Sequence, residues 1–161
     1  MVAKRLPVTP AVHALRAAGV EYSEHLFDYK SHPGAEGAAD ALGVEPHQTA
    51  KTIVFVTDQG DGAVVLMHGD DEVSTKKLSR AMDVKSVRPA TQREADLLTG
   101  YQFGGTSPLG MRSDPPVFCQ ESLVGFETIY VNAGSRGFLI GIDPGALIEL
   151  TRARVVDVAV E

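Results

Sequence analysis

The sequence predicts a mixed α+β domain built on a sheet of about seven short strands. Three observations carry that reading. The chain has 161 residues, 43% hydrophobic and 22% charged, a globular composition at single-domain size, taken as one domain over residues 1–161. Surface scaling lets such a chain bury about 69% of its unfolded surface, enough for its own core. Two continuously apolar runs, residues 52–57 and 63–67, flank the turn sequence Gln59-Gly60-Asp61-Gly62. They read as a hairpin in the middle of a sheet covered on both faces. The other short β-rich runs cluster and do not alternate evenly with helices, which excludes a regular βαβ repeat.

Each element has a local reason. Thr9 caps a first helix, Pro10 fits its first position, and Gly19 closes it in a left-handed C-cap. Val12, Leu15 and Ala18 share one face of it. Residues 22–28 read as a strand, and an Ala-rich helix runs to Leu42 before Gly43. Ser74 caps a helix ending at Met82, and residues 86–88 form a short strand. Thr91 and Glu94 have the capping-box spacing for a helix that ends near Gly100. Gly104-Gly105-Thr106-Ser107-Pro108-Leu109-Gly110 has no periodicity and is a loop. Strands follow at residues 117–119, 128–132 and 138–142. Asp143-Pro144 opens a last helix, and residues 155–160 form a last strand.

Composition narrows the function. One cysteine excludes an intrachain disulfide and a cysteine zinc cluster, and the five histidines show no close ligand spacing. No apolar run approaches the roughly 18 residues of a membrane span. The opening MVAKRLPVTP lacks the apolar stretch of a secretion signal, so a cytoplasmic location is expected. The net charge of −6 argues against non-specific coating of DNA, although a local basic patch is compatible with it.

Several places could carry chemistry. The adjacent glycines of the 104–110 loop let a ligand approach the backbone and free N–H groups for an anion or carbonyl oxygen; an ordinary turn explains them too. The loop matches neither a dinucleotide nor a phosphate-loop pattern, and Ser107 lacks a nucleophile-elbow context. Lys51, at the mouth of an apolar strand, is either snorkelling to solvent or held in a cleft. His68-Gly69-Asp70-Asp71-Glu72 offers cation ligands, or simply caps the next helix. Lys76, Lys77, Arg80, Lys85, Arg88 and Arg93 form a basic stretch, either a solvated face or a phosphate contact. Cys119 reads as a buried inert thiol, and residues 132–137 as a tight hairpin that could also present Asn132 at a pocket.

At these residues the sequence resembles the YbaK/EbsC family, relatives of the editing insertion of bacterial prolyl-tRNA synthetases. The motifs fall in order: Thr9-Pro10-Ala11, Ala50-Lys51-Thr52, His68-Gly69-Asp70-x-Glu72, Thr99-Gly100-Tyr101-x-x-Gly104-Gly105-x-Ser107-Pro108-x-Gly110, Ile129-Tyr130-Val131-Asn132, and Gly134-x-Arg136-Gly137. The resemblance implies a strongly twisted mixed sheet, partly closed like a barrel, with flanking helices. It implies trans-editing, the hydrolysis of a mischarged aminoacyl-tRNA ester, with no metal or other cofactor. Lys51 matches the lysine tied to activity, and Gly104 and Gly105 match glycines lining the aminoacyl carbonyl pocket. Phe27, Thr106, Ser107, Pro108, Asn132 and Gly134 become substrate-binding candidates. Lys76, Lys77 and Arg80 become tRNA contacts. The expected partners are the acceptor end of a mischarged tRNA and prolyl-tRNA synthetase, with no DNA and no membrane. Phe27 stands where well-studied members have a tyrosine, Asn132 where they have a serine, and Leu139 at a polar position. The aminoacyl preference therefore stays open between cysteinyl and another small group. A non-catalytic aminoacyl- or nucleotide-binding regulatory module with the same pocket is the alternative, and a small-ester hydrolase working through Ser107 a third.

Overall fold

The computed structural model describes residues 5–161; the part of the secretion-signal reading that rests on residues 1–4 lies outside them. Along the described chain run α1 (Pro10–Ala18), β1 (Ser23–Leu26), α2 (Gly34–Leu42), β2 (Thr49–Thr57), β3 (Gly62–His68), α3 (Thr75–Met82) and β4 (Val87–Pro89). They are followed by α4 (Gln92–Thr99), β5 (Val117–Gln120), β6 (Ile129–Ser135), β7 (Phe138–Ile142), α5 (Pro144–Thr151) and β8 (Arg154–Val156). Short 3-10 turns at Pro46–Gln48 and Glu121–Gly125 lead into β2 and out of β5.

Capping fixes most helix starts. The hydroxyls of Thr9, Ser74 and Thr91 and the carboxylate of Asp143 each accept the backbone N–H three residues on. At α4 the capping box is complete, and Arg88 grips Glu94 through two bonds of 2.8 and 2.9 Å. Those bonds, with the Thr91 N–H, pull the Glu94 carboxyl down to about 2. Only α2, which starts after Pro33, has no side-chain cap among the described α-helices.

The eight strands form one mixed sheet in the order β1-β7-β6-β2-β3-β5-β8, with β4 added to β2. The β2–β3 hairpin is central and both its faces are covered. Ala50, Val54, Val64 and Leu66 pack on one side with Leu15, Val131 and Ile140. Phe55, Val65 and Met67 pack on the other with Leu78 and Phe118. The sheet does not close into a full ring. β1 and β8 are free edges of four and three residues, too short to meet and complete a ring. The last strand ends early, at Val156, and Ala159 makes only an isolated bridge to Val73.

β2 begins three residues before its apolar run, because Thr49 and Ala50 pair in parallel with Tyr130 and Val131 of β6. At its far end Phe55–Thr57 pairs with β4 along the same edge. Between these two partners the edge of β2 is left without a strand, and the sheet splits there. The split creates the site.

Candidate active site

A cavity of about 660 Å³ opens at the split. Its floor is β2 from Thr49 to Val54, and its walls include Phe27, Asn132, Leu139, and the starts of α2 and α4. Most of the wall is apolar. Among the described residues lining it there is no carboxylate, histidine or cysteine, and Lys51 is the one charged group.

Strand alternation aims Lys51 there. Ala50, Val131 and Ile140 are in register on three neighbouring strands, and all point into the core. One residue further along each strand, Lys51, Asn132 and Leu139 turn to the opposite face and line the cavity. Lys51 is therefore inside the strand, not at its mouth. It is half-buried, and its side chain makes no hydrogen bond or ion pair with any described residue. Beside it the Thr52 hydroxyl is buried with no hydrogen-bond partner.

The glycine loop meets the cavity through Gly104 and Thr106. Gly105, Ser107, Pro108 and Gly134 lie outside the lining. The Gly105 N–H is spent on Gln102 O at 2.9 Å, so the loop does not offer an unbroken row of free amides; those of Gly104 and Thr106 donate to no described group. The paired glycines have a packing reason. Gly104 has φ +85°, and a Cβ there would sit 2.6 Å from the Tyr29 hydroxyl. A Cβ on Gly105 would meet the main chain of Ser135 and Arg136 at 3.1 Å. The loop is thus pressed against the β6–β7 hairpin. Ser107 is fully buried and its hydroxyl accepts the Leu109 N–H at 3.2 Å, which keeps it from acting as an exposed nucleophile.

Asn132 lines the cavity, yet its amide is committed elsewhere. It donates to Gly104 O and Ser135 O, both at 3.1 Å, and accepts the Gly134 N–H at 2.7 Å. It buckles the loop to the hairpin. None of the α3 basic residues Lys76, Lys77 and Arg80 lines the cavity. Lys77 donates to Ala159 O at 2.9 Å and pairs with Asp157 and Glu161. Residues the sequence reading did not single out for the site, Tyr29, Thr52, Phe103 and Tyr130, do line it. Thr52 and Tyr130 stood inside quoted motifs; Tyr29 and Phe103 had no signal beyond being aromatic.

The histidine cluster lies behind the start of β2. The ring of fully buried His68 stacks on His47 at 3.5 Å with 4° between planes. His68 Nδ1–H donates to His47 O, and in the neutral ring Nε2 then accepts the Ser122 hydroxyl at 2.6 Å. His47 and Asp70 meet at 2.9 Å. A cation shared by both imidazoles would have to lie in two parallel planes at once, and both His68 nitrogens are engaged. The geometry therefore suits a clamp on the 3-10 turn, not a metal. Cys119 is buried, and burial pushes its thiol up to about 11, which makes it inert.

The site is an apolar cleft at a sheet split, with one unpaired ammonium and no carboxylate, histidine or cysteine among the described lining residues. Residues 31–150 match the aminoacyl-tRNA editing domain family. Over 151 residues, 93% of this chain and 92% of the relative, the sequence is 32% identical to EbsC of Enterococcus faecalis, which is named for Cys-tRNA(Pro)/Cys-tRNA(Cys) deacylation. It is 32% identical over 100 residues to the proline–tRNA ligase of Ligilactobacillus salivarius, a match that spans 62% of this chain and 17% of the ligase. A crystal structure described as a trans-editing enzyme for prolyl tRNA synthetase superposes with TM-score 0.82 at 27% identity, over 96% of this chain and all of that one. A hypothetical protein shares the fold at TM-score 0.87 and 24% identity, over 94% of this chain and all of that one. The chain belongs to the aminoacyl-tRNA editing domain family, a family of deacylases. No helix among the described residues is long and apolar enough to cross a membrane.

Proposed function

We propose that this chain acts as one domain over residues 1–161 and hydrolyses the ester of a mischarged aminoacyl-tRNA in trans, with a cysteinyl or other small aminoacyl group on tRNA(Pro). The observation that carries this reading is Lys51, a cation without a carboxylate partner inside an apolar cavity of about 660 Å³. Aminoacyl esters are already activated, so positioning and support for the oxyanion do most of the work. The Lys51 ammonium faces the developing negative charge, where low dielectric strengthens it. The free N–H groups of Gly104 and Thr106 are the remaining donors. Water adds to the carbonyl carbon, the bond to the ribose oxygen breaks, and that oxygen takes the proton. No lining side chain among the described residues is a carboxylate or histidine base, which favours a substrate that helps itself. A cysteinyl thiol attacking its own carbonyl would do so.

The amino-acid side chain meets Phe27 and Leu139, and Asn132 is occupied by the loop. Such a pocket reads size more than polarity. One methylene in an apolar pocket is worth about 10- to 200-fold, so overlapping activity on small aminoacyl groups is expected. Prolyl-tRNA synthetase is the proposed source of further tRNA affinity, in line with the ligase relative and the trans-editing structural neighbour. The test is a panel of cysteinyl-, alanyl-, seryl- and prolyl-tRNA(Pro), with and without that synthetase. Faster release of a small non-cognate amino acid is expected. Release from none of them overturns the deacylase reading and leaves the binding-module alternative.

A further inference from the structure

At the mouth of the cavity the chemistry changes. Phe103 lines the cavity but is 60% exposed. Among the described large apolar side chains that face solvent, it is the one aromatic and the one that lines the cavity. Its position is fixed, not frayed: Arg136 Nε donates to Phe103 O at 2.8 Å, and the next carbonyl, Gly104 O, is held by Asn132. Arg136 is itself exposed, lies 5.5 Å from the Tyr29 ring centroid, and forms no ion pair with any described carboxylate. A bare aromatic face and an uncompensated guanidinium are thus pinned together on the rim of the Lys51 cavity.

That pairing matches a terminal nucleotide. Unpaired bases stack on aromatic side chains, and guanidinium groups favour phosphate. We infer that Phe103 is the stacking platform for the purine of the tRNA 3′-terminal adenosine, with Arg136 facing its 5′-phosphate. The base then sits on the rim while the aminoacyl ester reaches inward to Lys51. This rests on the deacylase reading and adds to it the subsite that holds the leaving nucleoside.

The chain contains no tryptophan, so Phe103→Trp places the only tryptophan, excited selectively above the tyrosine band, on the rim. Titration with adenosine 5′-monophosphate should give a saturable change, shifted to higher concentration by salt, with adenosine weaker and less salt-sensitive and ribose 5-phosphate silent. No saturable change, or an equal one with ribose 5-phosphate, overturns the proposal. In deacylation, Phe103→Ala should raise KM about tenfold, from the known worth of one stacked base. kcat and the melting temperature should hold, and Phe103→Tyr should restore KM. Turnover by wild type with KM unchanged in Phe103→Ala sinks the stacking site and spares the deacylase reading. Absence of turnover by wild type sinks the deacylase reading, and the fluorescence arm still decides the stacking site. Uncharged tRNA should displace the mononucleotide only while its terminal adenosine is present; equal displacement by trimmed tRNA assigns the site to free nucleotides and contradicts the assignment.

Discussion

Thr52 carries a buried hydroxyl that no group among the described residues satisfies. A buried unsatisfied polar group costs about 1–3 kcal/mol, and this one stands one residue from Lys51 on the strand that floors the cavity, which makes it a position to test against substrate. Thr52→Val keeps the shape and removes the orphan. It should raise stability by about 1 kcal/mol, read by denaturant unfolding, and lower kcat/KM for deacylation. A variant that is less stable with unchanged kinetics would show that the hydroxyl serves the fold. Lys51 follows the same logic at greater strength. Its ammonium has no carboxylate partner among the described residues; in the proposed reaction the negative group formed in the cavity would be its counter-charge, the condition under which a fixed cation favours the transition state over the bound ester.

At the scale of elements, the site depends on how β2 is anchored just before Lys51. Thr49 donates to Pro46 O at 2.7 Å and Gln48 donates to Thr128 O at 2.9 Å. Behind them His68 holds His47 through the bond to its main-chain carbonyl and the stacked rings. Burial lowers the pKa of His68 below its ordinary value, and only in part do the His47 backbone and the Asp71 and Asp70 carboxylates oppose it. The unfolded chain therefore binds the proton more readily than the fold does. The stability this residue contributes is complete above about pH 6.5, the unfolded value, and is lost as pH falls through the lower folded value. The melting temperature of wild type should drop between pH 8 and pH 5 by more than that of His68→Gln. Equal drops would mean that His68 is not the group that titrates. The helix boundaries were legible because caps are local: Thr9, Ser74, Thr91 and Asp143 all act within three residues. The start of β2 was not, because Thr49 and Ala50 are drawn into the strand by partners distant in sequence, Tyr130 and Val131 on β6 and His68 on β3.

For the whole molecule, the net charge of −6 sets how tRNA can be held. The basic stretch from Lys76 to Arg93 is partly neutralised, with Lys77 on α3 taken by Asp157 and Glu161 and Arg88 on β4 by Glu94. Contact confined to the acceptor end implies about one to three phosphates, hence a slope of log affinity against log salt of roughly −0.7 to −2. A slope steeper than about −4 would require a broad tRNA surface. The sheet and the Gly104–Gly105 loop could be read from the sequence, and so could Lys51 as the residue to watch. The reason for the glycines could not, since it lies in the approach of Tyr29 and the Ser135–Arg136 backbone. Nor could the cavity, which exists because β6 and β4 share one edge of β2 and leave a gap between them. Single-turnover hydrolysis of the best aminoacyl-tRNA(Pro) by wild type and by Lys51→Ala, at matched melting temperatures, is the most direct test of the positioned ammonium. A loss of about 100-fold or more is predicted. A folded Lys51→Ala protein that releases the amino acid within about twofold of the wild-type rate would contradict it.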